Sequence, residues 1–565
     1  MVGIVLAIAL VACEREPTDE KQSSARATFS RRFVDVTEES GVDFVHHTGS
    51  RGDKWLPETM GAGVAMLDYD GDGRLDLFFV DSGRWLGEPH STTKRCRLYR
   101  NRGDGRFEDV TDATRAGISL YGMGCTVADY DGDGDDDIYI TAVGDNVLLR
   151  NDAGVFHDVT KEAGVLGGTW TDAEGSIHSD WSTAAAFFDA DRDGDIDLIV
   201  ANYCEWTPEI DCFATFDGVT KVFTTPDRYT GLPCRLFLND GGGRFAAAGK
   251  DWGLDDQLGK ALGVVLWDLD GDDYLDVVVA NDTRPNFLFM NRAGERFEER
   301  GIAEGIAYDE NGRARAGMGI DVADYRNDGF AGVAIGNFAA EPMSLYRWQG
   351  GVDGFSSEAK HAGLAPATLA PLAFGLMFAD LDLDGWLDLV VTNGHIEPDI
   401  ERFFPAQRYS QPTQVFQGSA AGHFELVSPS LVEDLSKPRV GRGLAVGDLD
   451  GDGDLDLVVT VNGGPARVFE NRAADGTAPR FLRVRLEQSG MNRRALGAKL
   501  TLRGPAGRQT RYVRTGSSYL SHSEVVCTFG LGREQGALEL TIRWPDGTES
   551  RRQLGVNERE IVIRR

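Results

Sequence analysis

Catalytic signatures are missing from these 565 residues: there is no HExxH, no GxSxG and no phosphate-binding glycine loop. Histidine is scarce, at nine, and no nucleophile–base pair stands out, so catalysis has little to rest on. Basic residues number 58 against 90 acidic ones, and the net charge of −32 argues against nucleic acid, whose phosphates need a basic surface. No CxxC occurs, which leaves zinc and thioredoxin chemistry without support. Stretches at helical spacing are rare. Seventy glycines and 41% hydrophobic residues describe a folded, turn-rich chain.

The charge is unevenly placed. Residues 481–565 carry 16 Lys and Arg against 8 Asp and Glu, so an acidic body precedes a basic tail. At the start, an apolar run too short to span a bilayer ends in "LVAC" (Leu10 to Cys13), which resembles the lipobox of bacterial lipoproteins. Residues 1–13 are therefore expected to be a signal peptide cleaved before a lipid-modified Cys13, and residues 14–32 a polar tether. The lack of Lys or Arg before the apolar run keeps an ordinary signal peptide with an incidental Cys as the alternative. An exported lipoprotein touching the membrane through its anchor alone is the expectation, and Glu14 rather than Asp behind the Cys favours the outer membrane of a bacterial envelope. Export permits disulfides. Of the remaining cysteines, Cys96, Cys125, Cys204, Cys212, Cys234 and Cys527, the cluster between 204 and 234 is expected to hold at least one bridge, with no pairing fixed.

What the chain has in abundance is a repeat, D-x-D-x-D-G-x-x-D running into a short apolar stretch. Copies begin at Asp68 ("DYDGDGRLDLFFV"), Asp129, Asp189, Asp268, Asp380 and Asp448, with a degenerate unit, "DYRNDGFAGVAI", at Asp324. A small-residue run such as "GAGVAML" precedes each loop. Behind it come a strand, a second apolar stretch ("RLYRN", "LLRN", "LFLN", "LFMN", "VFEN") and a piece reading F-x-D-V-T or a relic of it. Four short strands per unit is the pattern of propeller blades. "FVDVT" at Phe33 stands before the first loop as an orphan fourth strand. An all-β seven-bladed propeller over 33–475, closed by the strand near 33–37, is predicted, with six blades plus an inserted degenerate unit as the alternative.

In each loop the carboxylates at positions 1, 3, 5 and 9 can converge, and Gly at position 6 permits the turn. These are Asp68, Asp70, Asp72 and Asp76; Asp129, Asp131, Asp133 and Asp137; Asp189, Asp191, Asp193 and Asp197; Asp268, Asp270, Asp272 and Asp276; Asp380, Asp382, Asp384 and Asp388; and Asp448, Asp450, Asp452 and Asp456. A backbone carbonyl at position 7 (Arg74, Asp135, Asp195, Tyr274, Trp386, Asp454) completes an all-oxygen set suited to Ca2+. Position 12 is apolar and feeds a strand, which excludes an EF-hand. About six calcium sites follow. None is expected at Asp324, where Arg326 stands at position 3 and is positioned to neutralise Asp324 and Asp328, and Gly332 stands at position 9. Asp273 replaces the glycine of the fourth loop, so strain or altered affinity is expected there, and Asp136 in the second loop has no assigned role.

At these residues the chain resembles the FG-GAP or VCBS repeats of integrin α-subunit propellers and bacterial surface proteins. "NRRALGAKLTLRG…WPDG" (Asn492 to Gly547) is similar to the ASPIC/UnbV domain that follows such repeats. The resemblance implies an exported calcium-binding propeller with a C-terminal β domain. By alternation alone, residues 480–565 read as a small antiparallel β sandwich whose arginines face acidic polymers, lipid headgroups or the acidic propeller itself.

His46 and His47 alternate sides of a strand and so fit packing or hydrogen bonding better than a shared metal. "RGD" at Arg51 is weak evidence of adhesion, and the insertion 203–234, with Tyr203 and Trp206, is a candidate binding loop. The leading expectation is a non-enzymatic interaction or adhesion module with a protein or glycan partner. The alternative is a calcium-dependent carbohydrate-active enzyme of the polysaccharide-lyase type, which needs a base and an Arg or Lys clustered over the ring axis.

Overall fold

The computed structural model describes residues 29–473, 480–505, 507–533, 535–555 and 557–565. Cys13, the expected signal peptide and most of the expected tether lie outside the described residues. Between Arg31 and Ala473 the chain forms seven four-stranded antiparallel sheets. The first strands of successive blades are Val64–Leu67, Gly122–Ala128, Ser182–Phe188, Ala261–Trp267, Gly317–Ala323, Ala373–Ala379 and Gly441–Gly447. Each packs on the next, and the last packs on the first, so the sheets form a ring around an axis. Arg31–Asp35 pairs antiparallel with Arg467–Ala473 and supplies the fourth strand of the seventh blade. The D-V-T motif explains its register. Thr111 Oγ1 and Thr160 Oγ1 accept the amides of Leu98 and Leu148 on their third strands at 3.0 and 2.9 Å, and Thr37 Oγ1 does the same for Val468 at 3.0 Å.

Residues 480–565 build a second unit of two sheets. One joins Cys527–Gly532, Arg480–Glu487 and Glu560–Arg564; the other runs Gly507–Tyr512, Lys499–Gly504, Leu538–Arg543, Glu549–Leu554. Leu482, Val484, Leu500, Leu540, Ile542 and Trp544 are buried between them, as the alternation requires. The arrangement departs from a fully antiparallel sandwich, because Arg480–Glu487 pairs parallel with Glu560–Arg564.

This unit does not stand apart. The segment Thr515–Glu524 threads the ring axis and bonds to the first strands, whose channel-facing backbone edges have no neighbouring strand. Cys125 N donates to Leu520 O at 3.1 Å, Ile320 N to Ser518 O at 3.0 Å, His522 N to Val64 O at 2.9 Å and Met66 N to His522 O at 3.0 Å. Thr515 Oγ1 donates to Phe187 O at 2.6 Å and accepts from Phe187 N at 2.8 Å, and Glu524 N donates to Val446 O at 3.1 Å. The small-residue runs make room for it: a Cβ on Gly63 would overlap the Leu520 carbonyl. Gly63→Val is therefore expected to cost about 3 kcal/mol by overpacking and to release the plug. Urea unfolding would measure the first, and new protease cleavage within 515–524 would report the second.

Candidate metal centres and what surrounds them

Each aspartate loop joins the first and second strands of its blade, so all of them lie on one face of the ring. Position 6 carries the turn with φ of +86° at Gly73, +106° at Gly134 and +97° at Gly194. Position 1 caps it: Gly73 N, Gly134 N and Gly194 N donate to Asp68, Asp129 and Asp189 Oδ2 at 3.0, 3.0 and 3.1 Å. The other oxygen of the same residue, Oδ1 of Asp68, Asp129, Asp189 and Asp380, is buried with no hydrogen-bond partner, as are Oδ1 of Asp70 and Asp382. A buried carboxylate oxygen without a donor costs free energy that a cation would return.

The carboxylates converge three at a time rather than four: positions 1, 3 and 9 gather in four loops without position 5 (Asp72, Asp133, Asp193, Asp272), and positions 1, 3 and 5 gather in the sixth without Asp388. One oxygen each from Asp68, Asp70 and Asp76 lie within 4.8 Å of one another, and the same holds for Asp129, Asp131 and Asp137, for Asp189, Asp191 and Asp197, for Asp268, Asp270 and Asp276, and for Asp380, Asp382 and Asp384. All ligands are oxygen, with no imidazole or thiolate among them, so the donor set fits a hard divalent cation.

Position 9 has a second duty that spacing alone did not reveal. Asp76, Asp137, Asp197, Asp276 and Asp456 each accept the position-2 amide on one oxygen at 2.8–3.2 Å. Their other oxygen accepts the backbone amide of an Asn at or near the end of the third strand (Asn101, Asn151, Asn239, Asn291, Asn471) at 2.7–2.8 Å. That Asn then reaches the preceding blade: its side-chain amide donates to the position-2 carbonyl of the neighbouring loop, Asn151 to Tyr69 O, Asn239 to Tyr130 O and Asn291 to Ala190 O at 2.8–2.9 Å. Asn101 closes the ring on Leu449 O at 2.8 Å. The Asn recurs visibly in "RLYRN", "LLRN", "LFLN", "LFMN" and "VFEN", but its role is legible only once the blades are side by side. Position 9 keeps lone pairs for a cation, since each carboxylate oxygen has two.

Basic side chains reach the loops unequally. Asp70 pairs with Arg100 at 2.7 Å and Asp72 with Arg74, while Asp454 pairs with Arg31 at 2.7 Å. Within the third and sixth loops, Asp189–Asp197 and Asp380–Asp388, the described residues supply no basic partner at ion-pair distance. Burial and the repulsion of Asp193 and Asp191 lift Asp189 to about 7, and burial and Asp382 lift Asp384 to about 7. Burial first raises Asp76 and Asp197 to about 8 and Asp129 to about 6.

The degenerate loop is satisfied by a different route from the one expected. Arg326 turns away from Asp324 and pairs with Glu358, while Arg347 takes Asp328 at 2.5 Å. Asp324 accepts the amides of Asp328 and Gly329 at 2.9 Å on separate oxygens, which leaves it satisfied. In the fourth loop Asp273 adopts φ of +73°, and Arg543 of the C-terminal unit grips its carboxylate, Nε to Oδ1 at 2.8 Å, offsetting the strain. Asp136 finds its role here: it accepts Asp68 N at 3.3 Å and pairs with Arg494 at 3.2 Å. With Arg483 on Asp448 at 3.4 Å, these contacts place the basic unit on the acidic loops of its own chain.

The expected bridge among Cys204, Cys212 and Cys234 is absent: all three, with Cys96, Cys125 and Cys527, are free thiols. Cys204 pairs across to Gly231 instead, within strand-like backbone that separates it from Cys234. His46 is hydrogen-bonded to Ser82 at 3.0 Å and His47 to Asp81 at 2.9 Å, so the pair divides between two partners. Arg51 of the RGD tripeptide pairs with Glu88. Trp206 and Tyr203 join Trp55, Trp85, Trp181 and Tyr121 in an aromatic cluster at the mouth opposite the loops.

Raised carboxyl pKa values fix a sign. In the unfolded chain these groups ionise near 4; in the folded one Asp129, Asp189 and Asp76 hold protons to about 6, 7 and 8. Stability from this source is complete below the unfolded value and is lost as pH rises through the folded ones. In chelator, the melting temperature is expected to fall between pH 4 and 8 by several degrees more than in saturating divalent cation; parallel curves would contradict it.

Family models cover both units. Those described as FG-GAP-like repeat match residues 68–140 and 268–335, an FG-GAP repeat model matches 440–478, and one described as ASPIC and UnbV matches 488–564. Cartilage acidic protein 1 of Mus musculus is 26% identical over 533 residues, 90% of this chain and 74% of that protein; the Homo sapiens protein is 26% identical over 527 residues, 90% and 72%. Among solved structures, BBS1N in complex with ARL6DN aligns over 77% of this chain and 96% of its own at 10% identity and a TM-score of 0.40. An Agrocybe aegerita lectin that recognises non-reducing terminal N-acetylglucosamine aligns over 72% and 94% at 18% and 0.40. The chain carries FG-GAP repeats followed by an ASPIC and UnbV domain and is a homologue of cartilage acidic protein 1.

Proposed function

We propose that the protein is an exported, lipid-anchored, calcium-stabilised propeller that binds a protein or glycan partner and performs no catalysis. The observation that carries the calcium reading is the set of buried, unpartnered carboxylate oxygens inside the loops. Calcium takes six to eight oxygens in flexible geometry, whereas magnesium demands a stricter octahedron. The ion is a folding ligand, since each site occupied at a hundredfold excess over its dissociation constant adds about 2.7 kcal/mol.

The binding reading is supported by the state of the ring axis, where a lyase would place its base and its arginine. Thr515–Glu524 fills the channel. Arg442, at the far mouth, is fully buried and spent on carbonyls, Thr59 O at 2.7 Å and Gly441 O at 2.8 Å among them. One face is covered by the basic unit, which leaves the opposite face, with its long connections, for a partner.

Metal counting on protein purified in calcium is expected to give about six ions per chain, with the loops at Asp189 and Asp380 the last to empty on titration with EGTA; EGTA should lower the melting temperature by tens of degrees. A count near zero, or an unchanged melting curve, rejects calcium. Calcium-dependent turnover of an acidic polysaccharide would reject the non-catalytic half. Export and anchoring are tested separately: Cys13→Ser is expected to abolish labelling by radioactive palmitate and to move the protein out of the membrane fraction, and retained label would refute the anchor.

A further inference from the structure

On the face opposite the aspartate loops, the connections between the second and third strands of three blades enclose a cavity of about 420 Å³. Its walls are the hairpin Ala214–Thr215 with Lys221–Val222 of the third blade, residues Phe338 to Ala340 of the fifth, and the loop His395 to Gln407 of the sixth. Phe216, Phe223, Phe338 and Phe404 line it. Phe216 and Phe404 meet at 5.2 Å between ring centroids yet stay 50% and 49% exposed, an arrangement that forgoes much of the burial a phenylalanine normally gains. The wall is preformed. Glu397 holds Lys54 Nζ at 2.6 Å with one oxygen and accepts Phe223 N at 3.2 Å with the other, tying the loop to the insertion.

Of the buried polar groups lining this space, Glu397 and Thr224 are hydrogen-bonded within the protein, which singles out His395. His395 is 4% exposed, and its Nδ1 accepts the Glu397 amide at 3.0 Å, so the ring proton resides on Nε2. Burial, with Arg442 nearby, keeps the ring neutral by lowering its pKa to about 4. The only hydrogen bond of the ring among the described residues is the one at Nδ1, which leaves Nε2–H available to a ligand. At the rim Arg228 is exposed and pairs with no carboxylate among the described residues. The volume lies within the range of small-molecule sites, which are mostly apolar with a few placed polar groups.

We propose that this cavity binds a small aromatic organic acid: the phenylalanines take the ring system, His395 Nε2–H donates to an oxygen of the ligand, and Arg228 supplies positive charge to the anion. The site is independent of calcium occupancy in the loops and of whatever macromolecule meets this face. The probe is 1-anilinonaphthalene-8-sulfonate, with the full chain in calcium. Saturable, blue-shifted fluorescence at one probe per chain is expected, displaced by 2-naphthoate and about tenfold less well by uncharged 2-naphthylmethanol. His395→Phe, which keeps the ring volume and removes the donor, should weaken binding about tenfold, the worth of a hydrogen bond to a charged group. Arg228→Ala, at an exposed position that leaves folding intact, should weaken it severalfold, whereas Ile302→Ser, at an exposed apolar site on the fourth blade, should change nothing. The proposal is overturned if Arg228→Ala and 2-naphthoate are both without effect, if the uncharged alcohol competes equally, or if Ile302→Ser weakens the probe as much as the cavity variants.

Discussion

A ring of seven sheets has seven innermost strands, and each turns one backbone edge toward the axis with no strand beside it. Unpaired amides and carbonyls in a closed channel are costly, and side chains large enough to fill the hole would crowd the strands apart. Here the answer is a length of backbone from the C-terminal unit. Its small polar residues, in "TGSSYLSHSE", suit so narrow a channel, since they add hydroxyls where the strands offer carbonyls, as Thr515 does at Phe187, and little bulk. Tyr519 carries it through to the far mouth, where its ring lies 5.0 Å from that of Phe374. The propeller and the C-terminal unit are thus one folding problem, and glycines at the inner strands such as Gly63, Gly124 and Gly319, where a Cβ would meet the threaded segment, are a condition of the second unit's fit as much as of the first's.

The same docking settles the charge. Loops that gather carboxylates at the end of every first strand create a strongly negative face, and a unit rich in arginine sits on it. Its reach is selective. Arg483, Arg494 and Arg543 pair with Asp448, Asp136 and Asp273, two of which, Asp136 and Asp273, stand outside the metal-ligand positions. Two of these three arginines therefore hold the interface through spare aspartates, while an inner oxygen of Asp68, Asp129, Asp189 and Asp380 stays without a donor. A planar guanidinium could not enter a three-carboxylate cage, but it matches a single carboxylate at the rim.

Much of this was legible in the chain. The period of the aspartate motif gave the blades, D-V-T gave the orphan strand its place, and the spacing of acidic residues gave the cage that the backbone closes around. What escaped did so for physical reasons. Arg326 was expected to answer the carboxylates nearest in sequence, yet Glu358, some thirty residues on, lies closer in space. The cysteines of the insertion clustered in number but not in geometry: with Gly231 opposite Cys204 and Arg235 opposite Val200, Cys234 does not face Cys204 across the ladder. The plug had no signature at all, since a run of serine, glycine and tyrosine reads as a loop until the channel that needs it is known. His395 is silent for the same reason: one histidine in a turn carries no pattern.

Topology then divides the molecule's labour. Connections between first and second strands are short and charged, with several of their residues held by the C-terminal unit, so variation there would disturb either a carboxylate cluster or an interface. Connections between second and third strands emerge on the other face, free of both constraints, and it is these that have grown: the insertion 203–234, the turn around Phe338 and the loop His395 to Gln407. Their growth is organised, with Glu397 binding Lys54 and the Phe223 amide across three separate segments. A surface kept only for solubility would not bury a carboxylate to hold phenylalanines at its edge, because the desolvation cost of Glu397 is recovered only through the fixed geometry it imposes. The acidic loops and the interface with the C-terminal unit are concentrated on one face, which leaves the long connections of the other free of both.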